Sequence, residues 1–247
     1  MGRKFGYIAI IIVLLGPTAY AQSKNVTKGN QQWVQYFTQS RISDQWSVLI
    51  DGGYRWKNEL VNRSQFIVRA AGAYNLTPHI RIATGIAHLG TYTDIDITSR
   101  EWRPHQEISI TQDPGKIRIR HLARIEQRFI EATSSSDHDF SRFNWRFRYL
   151  INFSIPLITK FPNPNMALGL NIGDEILINA GNDIVYNVFD QNRLLIGPAW
   201  QVNRHLTFTM TYQGQFAALN LPKQYHYNHI LWLGVRHKID LSSGSHQ

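Results

Sequence analysis

Residues 142–155 read RFNWRFRYLINFSI, and no other stretch so limits what the chain can fold into. Phe143, Trp145, Phe147, Tyr149, Ile151, Phe153 and Ile155 occupy the odd positions, while Arg142, Arg146 and Arg148 fall on the even ones. A side-chain period of two belongs to a β-strand, whose successive residues face opposite sides of a sheet. One face would dissolve in oil; the other carries three guanidinium groups. Fourteen residues at ~3.3 Å each is long for a soluble strand and suits a tilted strand crossing a bilayer.

The remainder repeats the pattern. Strand-like segments are read at 31–42, 46–56, 63–76, 80–92, 100–111, 117–130, 142–155, 166–178, 189–202, 206–217 and 226–241. The clearest is 117–130, where Ile117, Ile119, Ala123, Ile125 and Phe129 oppose Arg118, Arg120, Arg124, Glu126 and Arg128. Asp174 is an exception, a carboxylate on an apolar face, and Trp232 falls on the same face as Arg236 and Lys238. Tight turns at 43–45, 77–79, 113–115 and 203–205 alternate with longer polar connections at 58–62, 93–99, 131–141 and 180–188. Short turns on one side, long loops on the other, and aromatic residues near strand ends are habits of outer-membrane barrels.

The segments number eleven, but single-chain bacterial barrels close with even counts. The expectation is therefore a single antiparallel up-and-down transmembrane β-barrel of about twelve strands, with ten as the alternative. The missing strand would lie near 22–30 or within 180–190.

At the N-terminus, Arg3 and Lys4 precede the apolar run 7–15 and the small-x-small pattern Ala19-Tyr20-Ala21. That is a secretory signal peptide over 1–21. Its removal takes away two basic residues and no acid, which lowers the formal charge from +9 to +7. A flexible leader over 22–30, a barrel over 31–241 and a polar tail over 242–247 complete the division. The chain has no cysteine, which excludes disulfides and thiolate metal sites and suits export to a bacterial outer membrane.

Alternation alone does not say which face points inward. A soluble periplasmic lipocalin-like binding barrel would enclose the apolar face, but eleven segments exceed its usual eight. The polar face is also rich in Arg with isolated carboxylates, and guanidinium forks tolerate enclosure better than ammonium groups. The expected lumen network is Glu101, Arg103, Glu107, Arg120, Arg124, Glu126, Arg128, Arg146, Arg148, Glu175 and Arg193, with Arg55, Arg63, Arg69, Arg81, Arg118, Arg142 and Asp51 also directed inward. It would either prop a barrel with little passage or line a narrow porin-like channel favouring small anionic solutes.

An enzyme acting on lipid, an acyl hydrolase or deacylase, is the alternative class. Its best local set is Glu101, His105 and Ser109, but alternate positions four apart on one strand lie ~13 Å apart, too far for a Ser–His hydrogen bond. No catalytic residue, metal ligand or cofactor is assigned; His138 lacks a second histidine at ligand spacing. Arginines alternating with aromatics across a strand give no stacking platform for nucleic acid.

The order of Glu101-x-Arg103-x-x-Gln106, Arg124-Ile125-Glu126-Gln127-Arg128, Arg146-Phe147-Arg148-Tyr149, Asp174-Glu175 and Phe189-Asp190-Gln191-Asn192-Arg193-Leu194 before Gly197, with Trp33 and the 51–55 stretch, resembles a bacterial family of unknown function. Its members are small outer-membrane β-barrels made with a signal peptide. The resemblance covers nearly all of the chain beyond residue 21. It implies fold and location, outer-membrane lipid as surroundings, and periplasmic chaperones and barrel-assembly machinery as partners in biogenesis. It implies no activity. One departure is the end of the last strand near Ile239 or Leu241, followed by a polar tail in place of a terminal aromatic.

Overall fold

The computed structural model describes residues 24–133 and 142–242. The expected signal peptide, His138 and most of the loop 131–141 and of the tail lie outside the described residues. Eleven strands form one closed barrel: β1 (Asn25–Arg41), β2 (Trp46–Lys57), β3 (Asn62–Asn75), β4 (Ile80–Thr93), β5 (Asp96–Gln112), β6 (Arg118–Ala132), β7 (Arg142–Ile158), β8 (Ala167–Ala180), β9 (Phe189–Gln201), β10 (Leu206–Ala218) and β11 (Gln224–Asp240). Consecutive strands pair antiparallel, and β11 closes on β1.

That closure corrects the expected twelve strands, and ten as well. β1 and β11 run parallel without a register break, from Asn25 opposite Gln224 to Arg41 opposite Asp240. An even count is needed only when the first and last strands meet antiparallel, and a parallel seam closes an odd number equally well. Residues 25–30 supply the difference, lengthening β1 so that it covers all of β11. At its far end Arg41 forks onto Asp240, with Nε and Nη2 donating at 3.2 and 2.7 Å. The Leu241 N–H donates to the Arg41 carbonyl at 2.9 Å. The chain thus enters β1 at one end of the barrel and leaves β11 at the other.

The end holding 42–45, 76–79 and 202–205 is termed the turn end, and the opposite the loop end. The contrast between them is weaker than expected. The connection expected over 93–99 contracts to Asp94 and Ile95, because both strands run on past it, and the turn end carries the long connection 159–166. Asp94 sits at φ +56°, the left-handed conformation a tight hairpin needs.

Apolar side chains point outward all round. Val34, Ile50, Val68, Ile86, Ile108, Ile125, Phe147, Ile176, Leu194, Met210 and Leu233, one from each strand, are all exposed. Outward aromatics cluster near both ends: Trp46 on Tyr74 and Trp200 on Phe208 at the turn end, Tyr54 on Trp56 and Phe129 on Phe143 at the loop end. A barrel of this size is wide. With strands ~4.8 Å apart and tilted ~40°, eleven give a backbone radius of about 11 Å. Only long inward side chains can fill such a bore, and Arg and Glu are what the sequence supplies there.

Bulges re-aim particular residues. One between Arg55 and Trp56 sets Arg63 opposite outward Trp56, so Arg63 lies 5.9 Å over the Tyr92 ring and not in the lumen as expected. Asp174 does sit on the outer face, where Asn192 Nδ2 donates to both carboxylate oxygens at 3.0 and 3.1 Å. The β9–β10 ladder is interrupted at Gly197 and Pro198. There a Cβ on Gly197 would meet the backbone of Met210 and Thr211. Gly197→Ala is expected to cost about 1–3 kcal/mol through forced backbone displacement, read as a lower urea midpoint by tryptophan fluorescence.

Candidate functional site: the charged lumen

Register puts opposite charges side by side. On the inner face Glu107 stands opposite Arg124, Glu126 opposite Arg146, and Glu175 opposite Arg193. Cross-strand neighbours of this kind lie within reach of each other's long side chains. One pair is unfavourable as it stands, Arg124 opposite Arg148. Its repulsion is offset by three carboxylates around it, those of Glu107, Glu126 and Glu175.

Glu126 is the hub, with 1% of its surface exposed. Arg146 grips Oε2 through Nε and Nη2 at 2.7 and 2.5 Å, and Arg148 Nη1 donates to Oε1 at 2.7 Å. Arg103 and Arg124 lie at 3.7 Å on either side. Glu101 takes Arg103 Nε and Arg128 Nε, each at 2.7 Å. Glu107 takes Arg124 through Nε at 3.0 Å and Nη2 at 2.5 Å. Glu175 joins Arg148 and Arg193, at 2.5 and 3.0 Å. Six guanidinium groups thus meet four glutamates, and Asp190 adds a fifth carboxylate at 3.2 Å from Arg146 Nη1. The charges nearly cancel, and the cluster bridges five consecutive strands, β5 to β9.

Of the expected network, then, the structure brings together all but Arg120, which points into the lumen near the turn end without a carboxylate partner among the described residues. Asp190 is the residue that alternation misses. A bulge between Leu177 and Ile178 leaves it as an extra residue turned inward. The lumen wall opposite the cluster is chemically different. Trp33 and Trp232 meet edge to face at 5.6 Å, and Arg55 lies 3.8 Å over the Trp33 ring while donating to Gln65 Oε1 at 2.6 Å. Arg69 pairs with Asp51 at 2.9 Å, and Arg236 lies over Phe37 at 5.5 Å. The sequence placed Arg236 and Lys238 on one face without showing that this face was the inner one.

Glu101, His105 and Ser109 are all buried on the inner face of β5. Glu101 is committed to two arginines, and the extended strand holds His105 away from Ser109, so the three do not assemble as a nucleophile, base and orienting acid. Among the described residues no three His, Asp or Glu side chains gather as a metal site.

A family described as "Protein of unknown function (DUF2490)" matches residues 30–226, from within β1 to the first residues of β11, and takes in every residue of the cluster. The chain belongs to that family. No curated protein and no solved structure matches. The family's description carries no activity, so the chemistry of this lumen is the guide to function.

Proposed function

We propose that this protein is an integral barrel of a bacterial outer membrane, with its lumen closed across the middle by the Glu126-centred cluster, and that it acts as a structural element and not as an open pore. The observation that carries this reading is the outward apolar surface on all eleven strands. Exposed to water, a continuous surface of that kind would drive association. Facing hydrocarbon, it is what a closed sheet needs, since closure leaves no backbone N–H or C=O unpaired. Strands of 12–17 residues suffice to cross when tilted, and the two sets of aromatics match the interfacial girdles of such barrels. The paired charges support the closed lumen, because bidentate Arg–carboxylate forks fix side chains across the bore.

The protein is expected in the outer-membrane fraction, extractable only with detergent, and to run faster on a gel before boiling than after. Recovery of the processed chain in the soluble periplasmic fraction would end the membrane reading. In planar bilayers the wild-type barrel is expected to carry no steady current. A chloride-favouring conductance would instead make it a narrow anion channel, the second use of a lumen with excess positive charge.

A further inference from the structure

Below the cluster, toward the turn end, the lumen opens into a cavity of about 310 Å³. Its walls hold three carboxylates, Asp51, Glu107 and Glu175, each paired to an arginine of the same wall: Arg69, Arg124 and Arg148. Four further cations line it, Arg81, Arg120, Arg236 and Lys238. Among the described residues none of these four makes an ion pair or a side-chain hydrogen bond, so seven cations face three acids. Arg81 and Arg120 are half-buried, and Arg236 and Lys238 are exposed to the bore. Seven like charges lining one bore against three acids repel one another, and a ligand carrying the missing negative charge relieves that repulsion.

The cavity also has an apolar part: Trp232 lines it and packs on Phe37, ring centroids 6.1 Å apart. Leu122 on β6 and Leu150 on β7, across the bore, add apolar lining among the cations. An adjoining cavity of about 620 Å³ shares Arg236 and Lys238 and reaches Asp113, Gly115 and Lys116 at the β5–β6 turn. A solute at the turn end would therefore pass Lys116 and Lys238 among neutral polar and apolar residues before reaching Arg236.

We propose that this chamber is a binding site for a small organic anion, a carboxylate or phosphate head held by Arg81, Arg120 and Arg236 and an apolar body laid against Phe37 and Trp232. Guanidinium forks bind both head groups bidentately, and the volume lies in the range of small-molecule sites. The site ends at the Glu126-centred cluster, so it is a pocket entered from one end. It does not rest on the membrane reading, since its walls are the same wherever the barrel resides.

The test is titration of the purified, folded protein with phenyl phosphate, phenylacetate, inorganic phosphate and neutral phenylacetamide, followed by tryptophan fluorescence and calorimetry. The two aromatic anions are expected to bind and alter the fluorescence, phenylacetamide to bind at least tenfold more weakly, and inorganic phosphate to bind more weakly than phenyl phosphate. Arg120→Gln/Arg236→Gln is expected to weaken phenyl phosphate at least thirtyfold. Neither residue belongs to the cluster, and folding is checked by urea unfolding. Should that pair misfold, Arg81→Gln and Trp232→Phe test the head and body contacts separately, each with an expected loss of threefold or more. Binding of phenylacetamide equal to the anions, or affinities unmoved in folded variants, would overturn the proposal. Inorganic phosphate binding as tightly as phenyl phosphate would overturn its apolar half.

Discussion

Glu126→Ala is expected to destabilise the barrel by about 3–5 kcal/mol and to open its bore. The size follows from the asymmetry of buried ion pairs. Their net contribution is small when both partners are present, but removing one strands the other in a poorly solvated place. Here one carboxylate serves two hydrogen-bonded arginines, Arg146 and Arg148, and lies within 3.7 Å of two more. Its loss leaves six arginines of the cluster facing four carboxylates, with the like-charged Arg124 and Arg148 still opposite each other. Glu126→Gln separates charge from packing: the amide keeps the volume and one acceptor, but its N–H₂ faces guanidinium donors. A loss close to that of alanine would assign the effect to charge. The measurements are urea unfolding and, after reconstitution, bilayer current, which is expected to rise from none to a noisy anion-favouring conductance as the freed side chains move. A Glu126→Ala barrel as stable as wild type and as silent would mean that the cluster neither holds nor seals the lumen.

Glu101→Gln is a useful contrast, because among the described residues that carboxylate serves only Arg103 and Arg128, nearer the loop end.

How much of this was legible in the sequence depends on whether period two held locally. It held through β6 and β7, so Glu126, Arg146 and Arg148 were assigned to one face before any register was known. It failed at bulges. Arg63 read as inward and Asp190 went unassigned, because one extra residue in a strand flips everything beyond it to the other face. Asp174 was legible as an exception. Its partner Asn192 was not, since cross-strand neighbours follow only from register. Arg120 carried the same pattern as Arg124 but lies nearer the turn end, where no glutamate of a neighbouring strand is left unpaired for it. Alternation marks all eleven strands, but parity is a rule about how ends meet, and no local pattern in residues 25–30 announces a parallel partner.

The parallel seam makes the other large prediction. Val34 and Leu233 are directly opposed across β1 and β11, and both face outward. Neighbouring strands lie ~4.8 Å apart, inside the Cα separation that a disulfide spans. Since the chain has no cysteine, Val34→Cys/Leu233→Cys is expected to cross-link nearly completely on mild oxidation. Val34→Cys/Val235→Cys, displaced by two residues along β11, should stay largely reduced. A reversed outcome would remove the seam and with it the count of eleven. The same seam sends the described chain in at the loop end and out at the turn end, so Lys24 and Ser242 lie at opposite ends of the barrel. In an outer membrane with the loops outward, an epitope placed just before Asn25 is expected to react on intact cells, and one after Ser242 only after permeabilisation. Twelve strands closed antiparallel would instead put both epitopes on the same side. Equal labelling of the two epitopes would therefore contradict the odd, parallel closure if the disulfide also failed, and the membrane orientation alone if the disulfide formed.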